Sequence, residues 1–289
     1  MTRFFQGCVA FIIWSVGFGT ALAFQINGMK TPESIIVDPK TGYYYISNIN
    51  GHPLKKNNNG FISKVGPDGK LIDLHFISGG KNGAVLNAPK GLTLFENHLY
   101  VADIDNVRRF DKTTGKFLGS VDLSLLNAKF LNGITTDNKN RIYISDTLGN
   151  FLFWIEPKRN FSVGILAQGL ALGRPNGLVY EEAYKRLLIA AWKTGKIMSV
   201  DQNGKILQVF RKKGLKDLDG IDLDAEGNII FSSFSGGTIF KLKNYEKLEL
   251  IKRGIQTPAG ISVHKTKKQV LVPSFDGNQI FSFPLSPTN

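Results

Sequence analysis

The feature that most constrains this chain is a four-residue phrase that recurs six times, usually opening on Pro or Leu and carrying Gly before an apolar residue. The copies read Pro32-Glu33-Ser34-Ile35, Pro89-Lys90-Gly91-Leu92, Leu131-Asn132-Gly133-Ile134, Pro175-Asn176-Gly177-Leu178, Leu218-Asp219-Gly220-Ile221 and Pro258-Ala259-Gly260-Ile261. Successive second positions lie 57, 42, 44, 43 and 40 residues apart. Turns such as Asp38-Pro39-Lys40-Thr41-Gly42 and Asp224-Ala225-Glu226-Gly227 follow the phrase, and then an apolar strand, as at 43–47, 99–102, 141–145 and 229–233. Third strands are expected at 151–155 and 238–242. Four short strands in each repeat of about 40 residues predict an all-β chain folded as a six-bladed β-propeller, with four antiparallel strands per blade. A single blade cannot bury both of its faces, so the six must pack as one domain. The last copy ends after its third strand, 279–284, which leaves residues 24–28 to supply the missing outer strand and close the ring.

A 42% hydrophobic and 20% charged composition is enough to build such a core. The first residues stand apart from it. After Arg3 no charge appears before Lys30, and Ala21-Leu22-Ala23 has the small-x-small pattern of a signal-peptide cleavage site. The expected organisation is a signal peptide at 1–23 and a propeller at 24–289, exported to the periplasm or secreted. The competing reading is an uncleaved anchor, for which residues 4–24 are just long enough. Cys8, the only cysteine, leaves with the signal and takes disulfide and thiolate chemistry with it. The net charge of +13 lies on turns such as Lys55-Lys56 and Arg211-Lys212-Lys213, without a nucleic-acid motif. Nucleic acid is therefore not expected as a partner, whereas anionic envelope polymers fit an exported basic surface.

The second position of each phrase opens the strand nearest the axis. Around the ring it holds Glu33, Lys90, Asn132, Asn176, Asp219 and Ala259. Singly, Asn or Asp before Gly is an ordinary turn former. In register, two carboxylates and two amide oxygens form an oxygen-only set, which suits calcium and not zinc or copper. Glu33, Asn132, Asn176 and Asp219 are thus the expected ligands of one axial calcium. Lys90 can pair with Glu33, compete with the ion or contact substrate. Loops after the second strands should open on the same side, with Asn48, Asp103 and Asp146 from the first three blades and Trp192, Phe234 and Phe275 from the last three. These are the expected walls of a pocket for a small amphipathic ligand, although the aromatics could equally cover blade junctions. The loop at 49–59, with His52, is a possible lid.

These phrases resemble those of the senescence marker protein, gluconolactonase and luciferin-regenerating enzyme family, across residues 31–285. The most specific match is Asp219-Gly220-Ile221-Asp222-Leu223-Asp224-Ala225-Glu226-Gly227, with Arg174-Pro175-Asn176-Gly177-Leu178 beside it. The resemblance implies a catalytic calcium on the Glu, Asn, Asn, Asp set and hydrolysis of lactones or phosphoesters. It also implies an Arg two residues before the blade-three Asn in sugar-lactone enzymes. Phe130 stands there, so a sugar lactone is not the expected substrate. Some relatives hold a second ion, for which Asp222 fits while Ser262 replaces a His ligand.

Two functions follow. One is a calcium-dependent lactone or ester hydrolase in which Asp219 or Asp146 handles the proton or attacks, and Lys90, Phe130, Asn48, Asp103, Trp192, Phe234 and Phe275 contact substrate. The other is a non-catalytic propeller that binds a ligand or an envelope partner. No phosphate-binding loop, zinc-protease helix or Gly-x-Ser-x-Gly elbow is present to support other hydrolytic chemistry.

Overall fold

A computed structural model describes residues 23–137 and 139–285. The signal-peptide reading and Cys8 lie outside the described residues. Those described form six four-stranded antiparallel sheets, with four single-turn 3-10 helices and no α-helix among them. The chain is a six-bladed β-propeller. Second strands at Tyr44–Asn48, His98–Asp103, Ile142–Asp146 and Ile229–Ser233 fall within one residue of the expected bounds or match them. The ring closes as the repeat demands: Phe24–Asn27 pairs antiparallel with Gln279–Pro284, Phe24 opposite Ser282 and Asn27 opposite Gln279.

Hydrophobic cores fill the seams between neighbouring blades. One packs Phe95 and Tyr100 of blade 2 against Ile134 and Ile144 of blade 3. The closing seam packs Ile26, Leu271 and Ile280 of blade 6 against Ile35 and Ile46 of blade 1. Each blade therefore depends on its neighbour for the apolar surface that it buries.

The recurrent phrase has a mechanical reason. In the first five blades the pairing of the innermost strand shifts register right after the phrase opens, between Pro32 and Ser34, Pro89 and Leu92, Leu131 and Ile134, Pro175 and Leu178, and Leu218 and Ile221. Such an irregularity re-aims one side chain, here the second residue of the phrase, toward the axis. The Gly after it sits against the next blade's backbone. A Cβ on Gly133 would lie 2.3 Å from the Asn176 carbonyl oxygen, and one on Gly177 would lie 2.3 Å from that of Asp219. Gly177→Ala is accordingly expected to push blades 4 and 5 apart at the axis and cost roughly 1–3 kcal/mol. A denaturation curve matching wild type would contradict this.

Serines at matching places on the second strands complete the axial lattice. Ser145 accepts from the Gly133 amide at 2.9 Å and donates to the Asn176 carbonyl at 2.5 Å. Ser232 accepts from the Gly220 amide at 2.7 Å and donates to the Ala259 carbonyl at 2.9 Å. Both hydroxyls are buried and tie one blade's innermost strand to the next.

Candidate active site

The six axial residues meet at the floor of one cavity of about 320 Å³. Glu33, Asn132, Asn176 and Asp219 line it together with Lys90 and Ala259. All four oxygen-bearing side chains are buried. Asn176 Nδ2 donates to Asp219 Oδ2 at 3.2 Å. Asp219 Oδ1 and Glu33 Oε2 have no hydrogen-bond partner among the described residues. A buried oxygen left without a partner is costly, and a carboxylate oxygen more so.

That cost appears in the acid–base properties of the floor. Burial pushes the Glu33 carboxyl up to about 7, opposed by the charge of Lys90. Burial, reinforced by the charge of Glu33, holds Asp219 well above the usual carboxylate range, while the Asn176 amide pulls the other way. Lys90 is depressed to about 8, again by burial first, with Glu33 and Asp103 opposing.

Lys90 is fully buried, and its contacts bear on the first of the three roles open to it. Its ammonium forms no ion pair with Glu33. It donates to the Ala88 carbonyl at 2.9 Å and lies 4.4 Å from the centre of the Phe130 ring. Phe130 thus shields the Lys90 charge as well as walling the cavity. Neither contact consumes the two remaining N–H donors of the ammonium.

The wall differs from expectation in three blades. Asn48, Asp103 and Asp146 do not line the cavity; they are fully buried and fold back on the backbone. Asp103 accepts from the Asn87 and Ala88 amides and from Arg108 Nε at 3.0 Å. Asp146 accepts from the Lys129, Phe130 and Gly149 amides. Asn48 Oδ1 accepts from the Lys30 amide, and its Nδ2 reaches Ser63. In each case the side chain clamps the segment that leads into an axial residue two or three positions later. The six positions are not equivalent: Asn48, Asp103 and Asp146 face Pro32, Pro89 and Leu131, whereas the residue facing Pro175 is Ala191 and that facing Leu218 is Ser233. True counterparts of Trp192, Phe234 and Phe275 are Ile49, Ile104 and Thr147, and a slip of one residue on a strand exchanges its two faces. Asp146 is consequently not placed to exchange a proton with anything in the cavity.

With the register corrected, the wall is apolar almost throughout. Trp192, Phe234 and Phe275 form a continuous arc, with ring centres 5.3 Å and 5.6 Å apart. Ile49, Phe130 and Leu148 complete it, and Arg174 stands at the edge. The loop at 49–59 sends Pro53 into the lining and is tied to blade 2 by an ion pair from Lys56 to Asp105. His52 accepts from the Leu54 amide within that loop and does not line the cavity.

No protein-family model matches the chain, and no curated protein matches it. Solved structures do. Virginiamycin B lyase from Staphylococcus aureus, as a catalytically inactive variant with quinupristin, aligns at a TM-score of 0.62 and 16% identity over 91% of this chain and 99% of that one. A streptogramin B lyase aligns at 0.62 and 13% identity over 92% of this chain and 87% of that one. A protein of unknown function from Bacteroides thetaiotaomicron aligns at 0.67 and 12% identity over 93% of this chain and 72% of that one. What they share with this chain is the β-propeller fold. At such identities the likeness stops there, and the resemblance to the senescence marker and gluconolactonase family rests on the quoted phrases alone.

The donor set fits an oxygen-seeking dication. Among the described residues no three His, Cys, Asp or Glu side chains cluster as ligands, so a mixed set of two carboxylates and two amides is the one the axis offers. The two floor oxygens without a partner among the described residues belong to Glu33 and Asp219, which is where a cation would remove the cost of burial. Asp222, considered above for a second ion, lies elsewhere, with its oxygens engaged by the Leu223 and Val263 amides and the Ser262 hydroxyl.

Proposed function

We propose that this protein is an exported, calcium-dependent hydrolase of apolar or aromatic lactones and esters. The observation that carries this reading is the pair of buried, partnerless carboxylate oxygens, Glu33 Oε2 and Asp219 Oδ1, at the floor of an apolar-walled cavity. Glu33, Asn132, Asn176 and Asp219 would hold the ion. Calcium, when bound there, would act as a Lewis acid toward a substrate carbonyl.

The chain's own groups supply the rest. Asp219 would turn Oδ1 to the ion and use its other oxygen, which accepts from the Asn176 amide, to take a proton from water, as a general base must. Lys90 places a desolvated positive charge at the same floor, favouring negative charge that develops on a substrate oxygen. The aromatic arc excludes water and accepts an apolar acyl or ring. Phe130 offers a sugar hydroxyl no hydrogen bond, which counts against sugar lactones.

A second reading has one observation in its favour. Lys90 already brings a cation to the carboxylates, so the floor is half neutralised without an ion. A ligand-binding propeller that performs no chemistry would need no more than that. A lyase reaction borrowed from the solved relatives has less support. The inactive lyase variant lacks a histidine, and no histidine lines this cavity.

A panel of aromatic esters, lactones, sugar lactones and phosphotriesters, assayed with calcium and with chelator, separates the readings. Calcium-dependent turnover of the apolar substrates is expected, and its absence across the panel favours the binding propeller. Export fits a site weakened by Lys90, since extracellular calcium sites work at dissociation constants of about 10⁻⁴–10⁻³ M. N-terminal sequencing of the secreted protein should read Phe24 first; an intact Met1 or Thr2 terminus on soluble cytoplasmic protein would overturn export.

A further inference from the structure

The face that carries the cavity mouth presents leucines to water. Two 3-10 turns join neighbouring blades on it, Ser124–Leu126 between blades 2 and 3 and Leu170–Leu172 between blades 3 and 4. Each is anchored by a buried leucine, Leu123 and Leu172, and each turns another outward: Leu125 is 89% exposed and Leu170 is 85%. Next among the exposed large apolar side chains comes Tyr184, at 60%. Leu148, on the loop of blade 3 between those turns, and Leu54, on the loop tied by Lys56 to blade 2, extend the apolar rim. These are single protruding tips on short, anchored turns, a shape suited to a deformable partner and ill suited to a rigid protein groove.

Charge points the same way. Lys30, Lys81, Lys129, Arg174, Lys193 and Lys213 lie on the loops of this face, all exposed, and none forms an ion pair among the described residues. The same loops carry three acids, Asp105, Asp217 and Asp276, of which Asp105 is engaged by Lys56. The opposite face mixes both signs: Lys112 pairs with Asp38, Lys139 with Glu182, Lys158 with Glu96 and Arg159 with Glu156. Although Lys40, Lys185, Lys205 and Lys265 are exposed there without an ion pair among the described residues, its turns also carry Asp68, Asp137, Asp224, Glu226 and Glu246.

We propose that the cavity face docks on an anionic lipid bilayer, with Leu125 and Leu170 inserted at the headgroup boundary and the unpaired cations resting on lipid phosphates. A soluble polyanion would satisfy the cations and leave both leucines in water, so the combination selects a membrane. Docking holds whether or not the protein is an enzyme. Its consequence for substrate does rest on the hydrolase reading: the mouth would face the bilayer, and a lipophilic ester or lactone would reach the aromatic arc without crossing bulk water.

The test uses the full chain carrying Cys8→Ser, with one new cysteine labelled by an environment-sensitive fluorophore. Leu170→Cys reports the proposed docking face. Leu207→Cys, on the outer strand Ile206–Arg211, reports an exposed apolar position away from it. The N-terminal segment is common to both, so a difference between them reads orientation. With vesicles of phosphatidylcholine plus phosphatidylglycerol, emission should rise and shift to the blue at Leu170→Cys alone. Phosphatidylcholine alone should give little response, and added salt should weaken the response. Adding Leu125→Ser should weaken vesicle affinity roughly tenfold or more, the scale of burying one leucine. Equal responses at both positions, no response at Leu170→Cys, or vesicle binding unchanged by Leu125→Ser would overturn the proposal. So would the same Leu170→Cys response to soluble polyphosphate. A lost effect on ester turnover with docking intact would count against the hydrolase reading alone.

Discussion

Asp219→Asn is expected to lower calcium-dependent turnover by roughly 10²–10⁴, the range for a lost general base, while part of the calcium affinity survives. Asn keeps an oxygen for the ion but has no basic carboxylate, and Asp219 Oδ1 is one of the two floor oxygens without a partner. Glu33→Ala should act on the ion, raising the calcium concentration needed for half-maximal activity before it changes turnover at saturation. Asp146→Asn serves as the contrast. Its carboxylate accepts three backbone amides and does not reach the cavity. That substitution should cost roughly 1–3 kcal/mol of stability, as for buried donors losing their acceptor, with turnover per folded molecule near wild type. Normal turnover by Asp219→Asn, or a collapse in Asp146→Asn at full folding, would reverse the assignment.

Calcium should raise the melting temperature, and the size of the rise should depend on pH. An ion held only by the native ring adds about 4 kcal/mol at a thousandfold excess over its dissociation constant. Without the ion, Glu33 is raised to about 7 by burial. A raised carboxyl contributes stability at low pH that is lost as pH climbs through the folded value, so ion-free protein should lose stability between about pH 5 and 8. Asp219 shifts in the same direction and adds to the trend. Lys90, lowered to about 8, contributes stability present at high pH and lost as pH falls through that value, so it is already charged below pH 7 and leaves that part of the window to the carboxyls. Calcium needs both carboxylates ionised and competes with their protons. Melting curves with and without calcium should therefore converge near pH 5 and separate most at pH 8. Parallel curves across this range would show that any calcium effect arises away from the floor.

The parts of this account that the sequence made legible are those that repetition exposes. Six copies of one phrase located the innermost strands, counted the blades and, through the missing strand after Pro284, required Phe24–Asn27 to close the ring. Comparing one position across the copies also brought Glu33, Lys90, Asn132, Asn176, Asp219 and Ala259 to a single floor. The wall was less legible because strand ends have no equally fixed phrase. Asn48, Asp103 and Asp146 end their strands with polar side chains that look like lining groups, yet they face backbone amides that would otherwise be buried without acceptors. Ile49 and Thr147, one residue on, are the residues that line the cavity, and nothing in their type marks them for it. Ser145 and Ser232 sit in second strands whose sequence gives no sign of a function for a hydroxyl. Their role appears only when the carbonyl of the next blade is in place, a contact between residues 31 and 27 positions apart in the chain. Lys90 shows the same limit. Its type suggested a partner for Glu33, but its direction is set by the Ala88 carbonyl and the Phe130 ring.

The most direct measurement of the central claim is calcium stoichiometry by equilibrium dialysis, on wild type and on a chain carrying Glu33→Gln and Asp219→Asn together. Both replacements preserve size and leave an amide oxygen in place while removing the two buried negative charges. The account predicts one axial calcium per wild-type chain, and its loss or a weakening of several orders of magnitude in the double variant. Wild type that binds no calcium at millimolar concentration, or a double variant that binds it equally well, would contradict the account.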